Sequence, residues 1–334
     1  ESHIKSHSSL YGYNKATNPC LSSMRDSLCV FDDVITYKNS THVIFREFLS
    51  VSSADDDKEW YETTLFPAVF KDAGWNVVLC SNQINNKQSS DIWSAAKGAF
   101  LNTPKTSKAC FTTRNKSLFK FDDEMVDSFV VNKRLNIDEG KPTLYIINLF
   151  GQHVAYGDRC PSSQKFFKVS DYADRNNLSD SQKQDVADYD NACRYNDQQL
   201  YKLLQAFASD DAVVVYMSDH GDEVHDYRNH VGRAGDLMEN APNSYHCQID
   251  VPFFVYMTDT YQHNHPLKAE QIKTSVNRPF MTDDICHLLF YLGDVDTQWY
   301  DSTRCLIHPD YNTKRKRVLH SGEDYDEYTS VVKH

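Results

Sequence analysis

Four apolar runs punctuate an otherwise polar chain. They are Trp75–Cys80, Thr143–Leu149, Ala212–Met217 and Pro252–Met257. Each has strand length, and the last three are continuous rather than alternating, which is the pattern of strands covered on both faces. Between them the period changes. Val186, Tyr189, Cys193, Leu200, Leu203, Leu204 and Phe207 recur at helical spacing and predict one long amphipathic helix. A shorter helical stretch runs from about Tyr61 to Ala73 and stops at Gly74; another spans about Met281–Leu292 and stops at Gly293. Strand and helix alternate, so the pattern predicts an α/β fold. Its mostly parallel central sheet is sandwiched by helices. Two long polar excursions, 82–118 and 150–180, leave strand ends, where such sheets build their sites. The segment from about residue 308 carries Lys314-Arg315-Lys316-Arg317 and then Glu323-Asp324-Tyr325-Asp326, and reads as a solvated, partly ordered tail.

Composition narrows this only a little. The 334 residues suffice for one large domain, and the formal net charge of −12 argues against a nucleic-acid partner. No apolar run approaches the roughly 18 residues of a membrane span. The nine cysteines show no CxxC pair, which disfavours a thiolate zinc site; buried thiols and a few disulfides are equally compatible with them.

The chemistry gathers at strand ends. Asp219 and His220 follow the 212–217 run directly, and Gly221 lets the chain turn behind them. A carboxylate beside an imidazole suits zinc or manganese. The plainer alternative is a capped strand end with a buried His–Asp hydrogen bond. His225 and His230 lie within ten residues, and His153 stands just past the 143–149 run. Thr41 precedes an apolar helical run. It reads either as an N-cap or as a nucleophile, since a helix N-terminus favours anionic oxygen and phosphate. Asn39-Ser40-Thr41 is also a chance glycosylation sequon.

Several segments taken together resemble a known family. They are Glu1-Ser2, Ser9-Leu-Tyr-Gly-Tyr13 with Thr17-x-Pro19, the Thr41 turn, Gly151-x-His153-x-x-Tyr156-x-x-Arg159-x-Pro161, Tyr189-Asp190-Asn191 and Ser218-Asp219-His220-Gly221. In this order, from residue 1 to about 320, they resemble the periplasmic catalytic domain of the phosphoethanolamine transferases of the alkaline phosphatase/sulfatase superfamily. The resemblance implies an alkaline-phosphatase/sulfatase-like domain over residues 1–310, with 311–334 as the polar tail. A further strand and membrane helices would lie upstream of Glu1, making the chain the periplasmic domain of a bacterial inner-membrane protein.

The resemblance also implies roles. Glu1, Thr41, Asp219 and His220 would hold zinc in one tight site, with room for a second, weaker ion; manganese suits the set less well. Thr41 would carry the phosphoethanolamine. His153 and His230 would act near the transferred group, and Gln83 and Lys87 would contact the substrate with them. The donor would be phosphatidylethanolamine and the acceptor lipopolysaccharide, at lipid A or a core sugar. The later histidine stands in His230-Val231-Gly232, where the family has His-Gly. Rival readings fit less well. A sulfatase needs C/S-x-P-x-R, which nothing near residue 41 supplies, and Cys160-Pro161 does not match it. A phosphoglycerol transferase also uses threonine and a metal, but the Ser9–Tyr13 and Gly151–Arg159 motifs favour the phosphoethanolamine group. A binding module would have no need of zinc.

Overall fold

The computed structural model describes residues 1–83, 99–115, 117–233, 242–320 and 322–327. All four apolar runs form strands: β3 (Asn76–Ser81), β5 (Thr143–Asn148), β6 (Val213–Met217) and β9 (Phe253–Met257). Around them lie β1 (Leu28–Phe31), β2 (Val34–Ile35), β4 (Thr113–Arg114), β7 (Glu223–Val224), β8 (Val231–Gly232) and β10 (Phe280–Met281). Strands β4-β3-β5 form a parallel sheet, as the alternation with helices predicts. Strands β1-β9-β6 form an antiparallel one. The reason is local: Met217 at the end of β6 pairs with Phe253 at the start of β9. The excursion between them therefore leaves and rejoins the same end of the sheet, which only an antiparallel pairing allows. Strands β5 and β6 line a cavity of about 650 Å³ whose walls include Leu144, Ile146, Val213 and Val215, and also Glu1 and Asp219.

The helix Asp180–Phe207 begins at a capping box, in which Ser179 Oγ accepts from Gln182 N and Gln182 Oε1 accepts from Ser179 N. All seven of its periodic apolar residues are buried. The predicted helix at 61–73 is shorter, Phe66–Asp72, because Pro67 suits only a first turn. The last core helix is Ile285–Leu292, since Phe280 and Met281 pair with β2 instead. Phe253, Phe254, Phe280 and Phe290 have almost no exposed surface; truncating one such ring to alanine costs about 3–5 kcal/mol. All nine cysteines are free thiols, and seven are buried.

The expectation of a solvated tail is corrected. Arg315 pairs with Asp283 and Asp284 at 2.7 Å each, and both acids are fully enclosed. Arg317 is buried against Asp33 and Asp326, and Leu319 and Tyr325 are buried too. Two carboxylates side by side in the interior require cations, and this segment supplies one of them. Arg304 supplies the other, 3.2 Å from Asp284.

Candidate metal and nucleophile site

Residues 1–4 are laced between two strand ends and the long helix. The Glu1 carbonyl accepts from Gln152 N at 3.1 Å. Gly151 makes this possible: its φ is +59°, and a Cβ there would lie 2.8 Å from the Glu1 oxygen. Ser2 N donates to Asp219 Oδ1 at 3.2 Å, and His3 N donates to Ser218 Oγ at 2.9 Å. The Tyr189 hydroxyl receives Ile4 N and donates to Ser2 O, both at 2.7 Å. The Tyr189 motif is thus a staple for the first residues.

The turn after β6 is fixed as tightly. A Cβ on Gly221 would sit 2.0 Å from the Cys247 carbonyl oxygen, so no other residue fits. His220 Nδ1 donates to the Gly221 carbonyl at 2.7 Å. A carbonyl only accepts, so that nitrogen carries the proton and the Nε2 lone pair faces inward.

What it faces is the hydroxyl of Thr41, the first residue of the helix Thr41–Leu49; Ser40 takes the N-cap position. Thr41 Oγ1 donates to Glu1 Oε1 at 2.7 Å and lies 2.8 Å from His220 Nε2. His220 Nε2 is 3.2 Å from Glu1 Oε1 and 3.4 Å from Asp219 Oδ2. Ligand atoms of Glu1, Asp219 and His220 all lie within 4.8 Å of one another. Asp219 Oδ2 is buried and has no hydrogen-bond partner among the described residues. Two carboxylates, an imidazole lone pair and a hydroxyl aimed at one point, with one oxygen unpaired, form a donor set that fits a divalent cation.

Of the other expected residues, Gln83 is buried and donates through Nε2 to Glu1 Oε2 at 2.9 Å. It orients Glu1, which leaves less of it for a substrate. His153 Nε2 lies 3.9 Å from Glu1 Oε1, its ring tilted against Phe150. Lys87 lies outside the described residues. His230 sits at the head of the β7–β8 hairpin, its Nε2 buried and without a hydrogen-bond partner among the described residues, while Arg233, three positions on, reaches the ligand set. Arg233 Nη1 lies 3.2 Å from Thr41 Oγ1, 2.6 Å from His220 Nε2 and 3.8 Å from Glu1 Oε1. Its Nε pairs with Asp222 at 3.4 Å. Asp222 is fully buried, which pushes its carboxyl up to about 6 despite the neighbouring His220, Arg233 and Tyr156 hydroxyl. Sequence reasoning missed Arg233 because nothing local distinguishes it.

Comparisons with known proteins follow the same outline. The sequence model of one family, Sulfatase, matches residues 1–292. Phosphoethanolamine transferase EptC of Escherichia coli (strain K12) is 26% identical over 317 residues, covering 93% of this chain and 52% of that protein. Phosphoethanolamine transferase CptA of Salmonella typhimurium is 27% identical over 320 residues, with the same coverage of 93% and 52%. The chain thus spans about half the length of these relatives. Among solved structures, the C-terminal periplasmic domain of EcEptC from Escherichia coli in complex with Zn superposes with a TM-score of 0.81 at 23% identity. It covers 98% of this chain and 90% of that one.

Proposed function

The chain belongs to the sulfatase family, and on that premise we propose that it transfers phosphoethanolamine from phosphatidylethanolamine to lipopolysaccharide, at lipid A or a core sugar, through a phosphothreonine on Thr41. We infer further that Glu1, Thr41, Asp219 and His220 hold zinc. The chain would then be the periplasmic domain of a bacterial inner-membrane protein, working at the membrane surface. Among the described residues no helix is long and apolar enough to cross a membrane. The observation that carries the reading is the Thr41 hydroxyl, inside the ligand set and hydrogen-bonded to Glu1 at 2.7 Å. The similarity to EptC and CptA supports the phosphoethanolamine group, and the zinc complex of the superposed domain supports the ion.

When bound, zinc would supply Lewis acidity, lowering the pKa of the hydroxyl and neutralising charge on the phosphoryl oxygens. The chain's own residues do the rest. Glu1 Oε1 accepts the Thr41 proton. The N-terminus of the Thr41–Leu49 helix offers its amide groups to the phosphoryl oxygens. Thr41 Oγ1 attacks phosphorus, the bond to the diacylglycerol oxygen breaks, and that oxygen takes a proton from His153 as it leaves. The acceptor hydroxyl then attacks the phosphothreonine in line and returns a proton to His153, while the bond from phosphorus to Thr41 Oγ1 breaks and that oxygen recovers its proton from Glu1.

The test is intact mass spectrometry after incubation with phosphatidylethanolamine. A phosphoethanolamine adduct mapped to Thr41 is the expected result. An adduct on another residue, or turnover with Thr41→Ala at the wild-type rate, would remove Thr41 as the nucleophile.

A further inference from the structure

Arg233 has no part in the chemistry above, yet it is the cationic side chain that hydrogen-bonds the proposed nucleophile among the described residues. Its arm is anchored at Nε, and its tip rests against the ligand set, with Nη1 2.6 Å from His220 Nε2. Nε faces Asp222 Oδ1 at 3.4 Å, while the other Asp222 oxygen accepts from the Tyr156 hydroxyl at 2.8 Å. Asp222 in turn follows Gly221, whose backbone is pressed against Cys247. The tether is therefore rigid, and the guanidinium tip projects toward Thr41. The side chain is partly exposed, so an incoming group can reach it.

The charge balance gives this tip a task. Glu1 and Asp219 bring two carboxylates to the ligand set, and Asp222, paired with Arg233 beside it, is a third. A divalent ion offsets two of them, and Arg233 offsets the third. Without Arg233 the loaded site would keep a net negative charge and repel an anionic phosphodiester. A lysine would restore the charge. A guanidinium also presents a planar fork that meets two phosphoryl oxygens at once.

Building on the transferase reading, we propose that Arg233 is the phosphoryl-binding residue of this site, gripping the phosphoryl oxygens as the group passes onto and off Thr41. It is the chain's own second cation, in the role expected of His230 or of a second metal ion.

The experiment titrates the chain with inorganic phosphate, with and without zinc, in the wild type, Arg233→Gln and Arg233→Lys. Zinc content is measured by mass in each sample. The wild type is expected to bind phosphate only when loaded. Arg233→Gln should bind it at least ~10-fold more weakly at equal zinc content, the scale of a lost hydrogen bond to a charged group. Arg233→Lys should fall between the two. Equal phosphate affinity in wild type and Arg233→Gln overturns the assignment to Arg233 and leaves the Thr41 reading standing. A wild type that binds no phosphate in a zinc-dependent way sinks the transferase reading, and the Arg233 assignment with it. Should Arg233→Gln lose its zinc, Arg233→Lys decides. Weaker phosphate binding with zinc retained supports the fork, and unchanged binding refutes it.

Discussion

Two clusters in this molecule are built from the same parts, histidine and carboxylates, and only one reads as a reactive centre. In the first, His7 is sandwiched between Asp190 at 2.8 Å and Asp226 at 3.1 Å. Asp190 also accepts from the Tyr13 and Tyr172 hydroxyls, and Asp226 from Val224 N and Arg175. Both ring nitrogens and all four carboxylate oxygens find partners within the chain. In the second cluster, Asp219 Oδ2 is buried without a hydrogen-bond partner among the described residues, and the His220 lone pair converges with it on Thr41 and Glu1. Residue type does not separate the two; saturation does. A cluster whose valences are met by its own chain is a clamp, and one with a valence left over awaits a ligand.

The sharpest way to break this contrast is at Thr41. Thr41→Ala is expected to cut transfer by at least ~10⁴-fold, the scale of a deleted nucleophile, while the unfolding midpoint stays near that of the wild type. His7→Gln should do the reverse. Leaving two enclosed carboxylates short of their cation costs about 3–5 kcal/mol in urea unfolding, with zinc content unchanged. A loss of zinc in that variant would mean the two clusters are one functional unit.

The same residue gives a pH signature. Burial disfavours the charged imidazole, but Asp226 and Asp190 outweigh it and raise His7 from 6.5 to about 10. A raised folded-state pKa stabilises fully below the unfolded value and loses its effect as pH climbs through the folded one. The stability gap between wild type and His7→Gln should therefore be widest near pH 6 and shrink steadily toward pH 10. A gap that does not narrow over that range would show that His7 is not held charged. The smallest expected effect is at Asp219. Asp219→Asn keeps the shape but removes a charge, and should weaken zinc binding by about 100-fold with little change in metal-free stability. Unchanged zinc affinity would return Asp219 to the role of a plain strand cap.

Much of the scaffold was legible because its strands are continuous apolar runs and its long helix keeps one period from Val186 to Phe207. The membership of the donor set was legible too, through strand-end position for Asp219 and His220 and through resemblance for Glu1 and Thr41. Its assembly was not, because no spacing along the chain says that residues 1, 41 and 219 meet. His230 and Arg233 show where local reading fails. A histidine attracts attention, yet it is Arg233, beyond the turn at Gly232 with its φ of +94°, that reaches Thr41, and no local pattern announces it. The basic run at 314–317 misled for the same reason. Lys314 and Lys316 are exposed while Arg315 and Arg317 turn in toward Asp283, Asp284 and Asp33, so a charge block hides an extended segment with two faces. His7 gave no signal at all, since its partners lie far along the chain.

The lacing of the first residues bears on the order in which the molecule comes into being. Ser2 is bound to Asp219 across a separation of 217 residues, and the Gly221 turn is braced by the Cys247 carbonyl. Glu1 is the earliest of these residues along the chain, yet it has nowhere to dock until the strand that ends at Met217 and the helix Pro242–Ile249 have formed. Closing so long a loop carries its entropy cost before any contact repays it. Residues 1–4 stay undocked until their partners, as far as 217 residues further along the chain, have folded, and the Thr41 hydroxyl acquires its surroundings only when they dock.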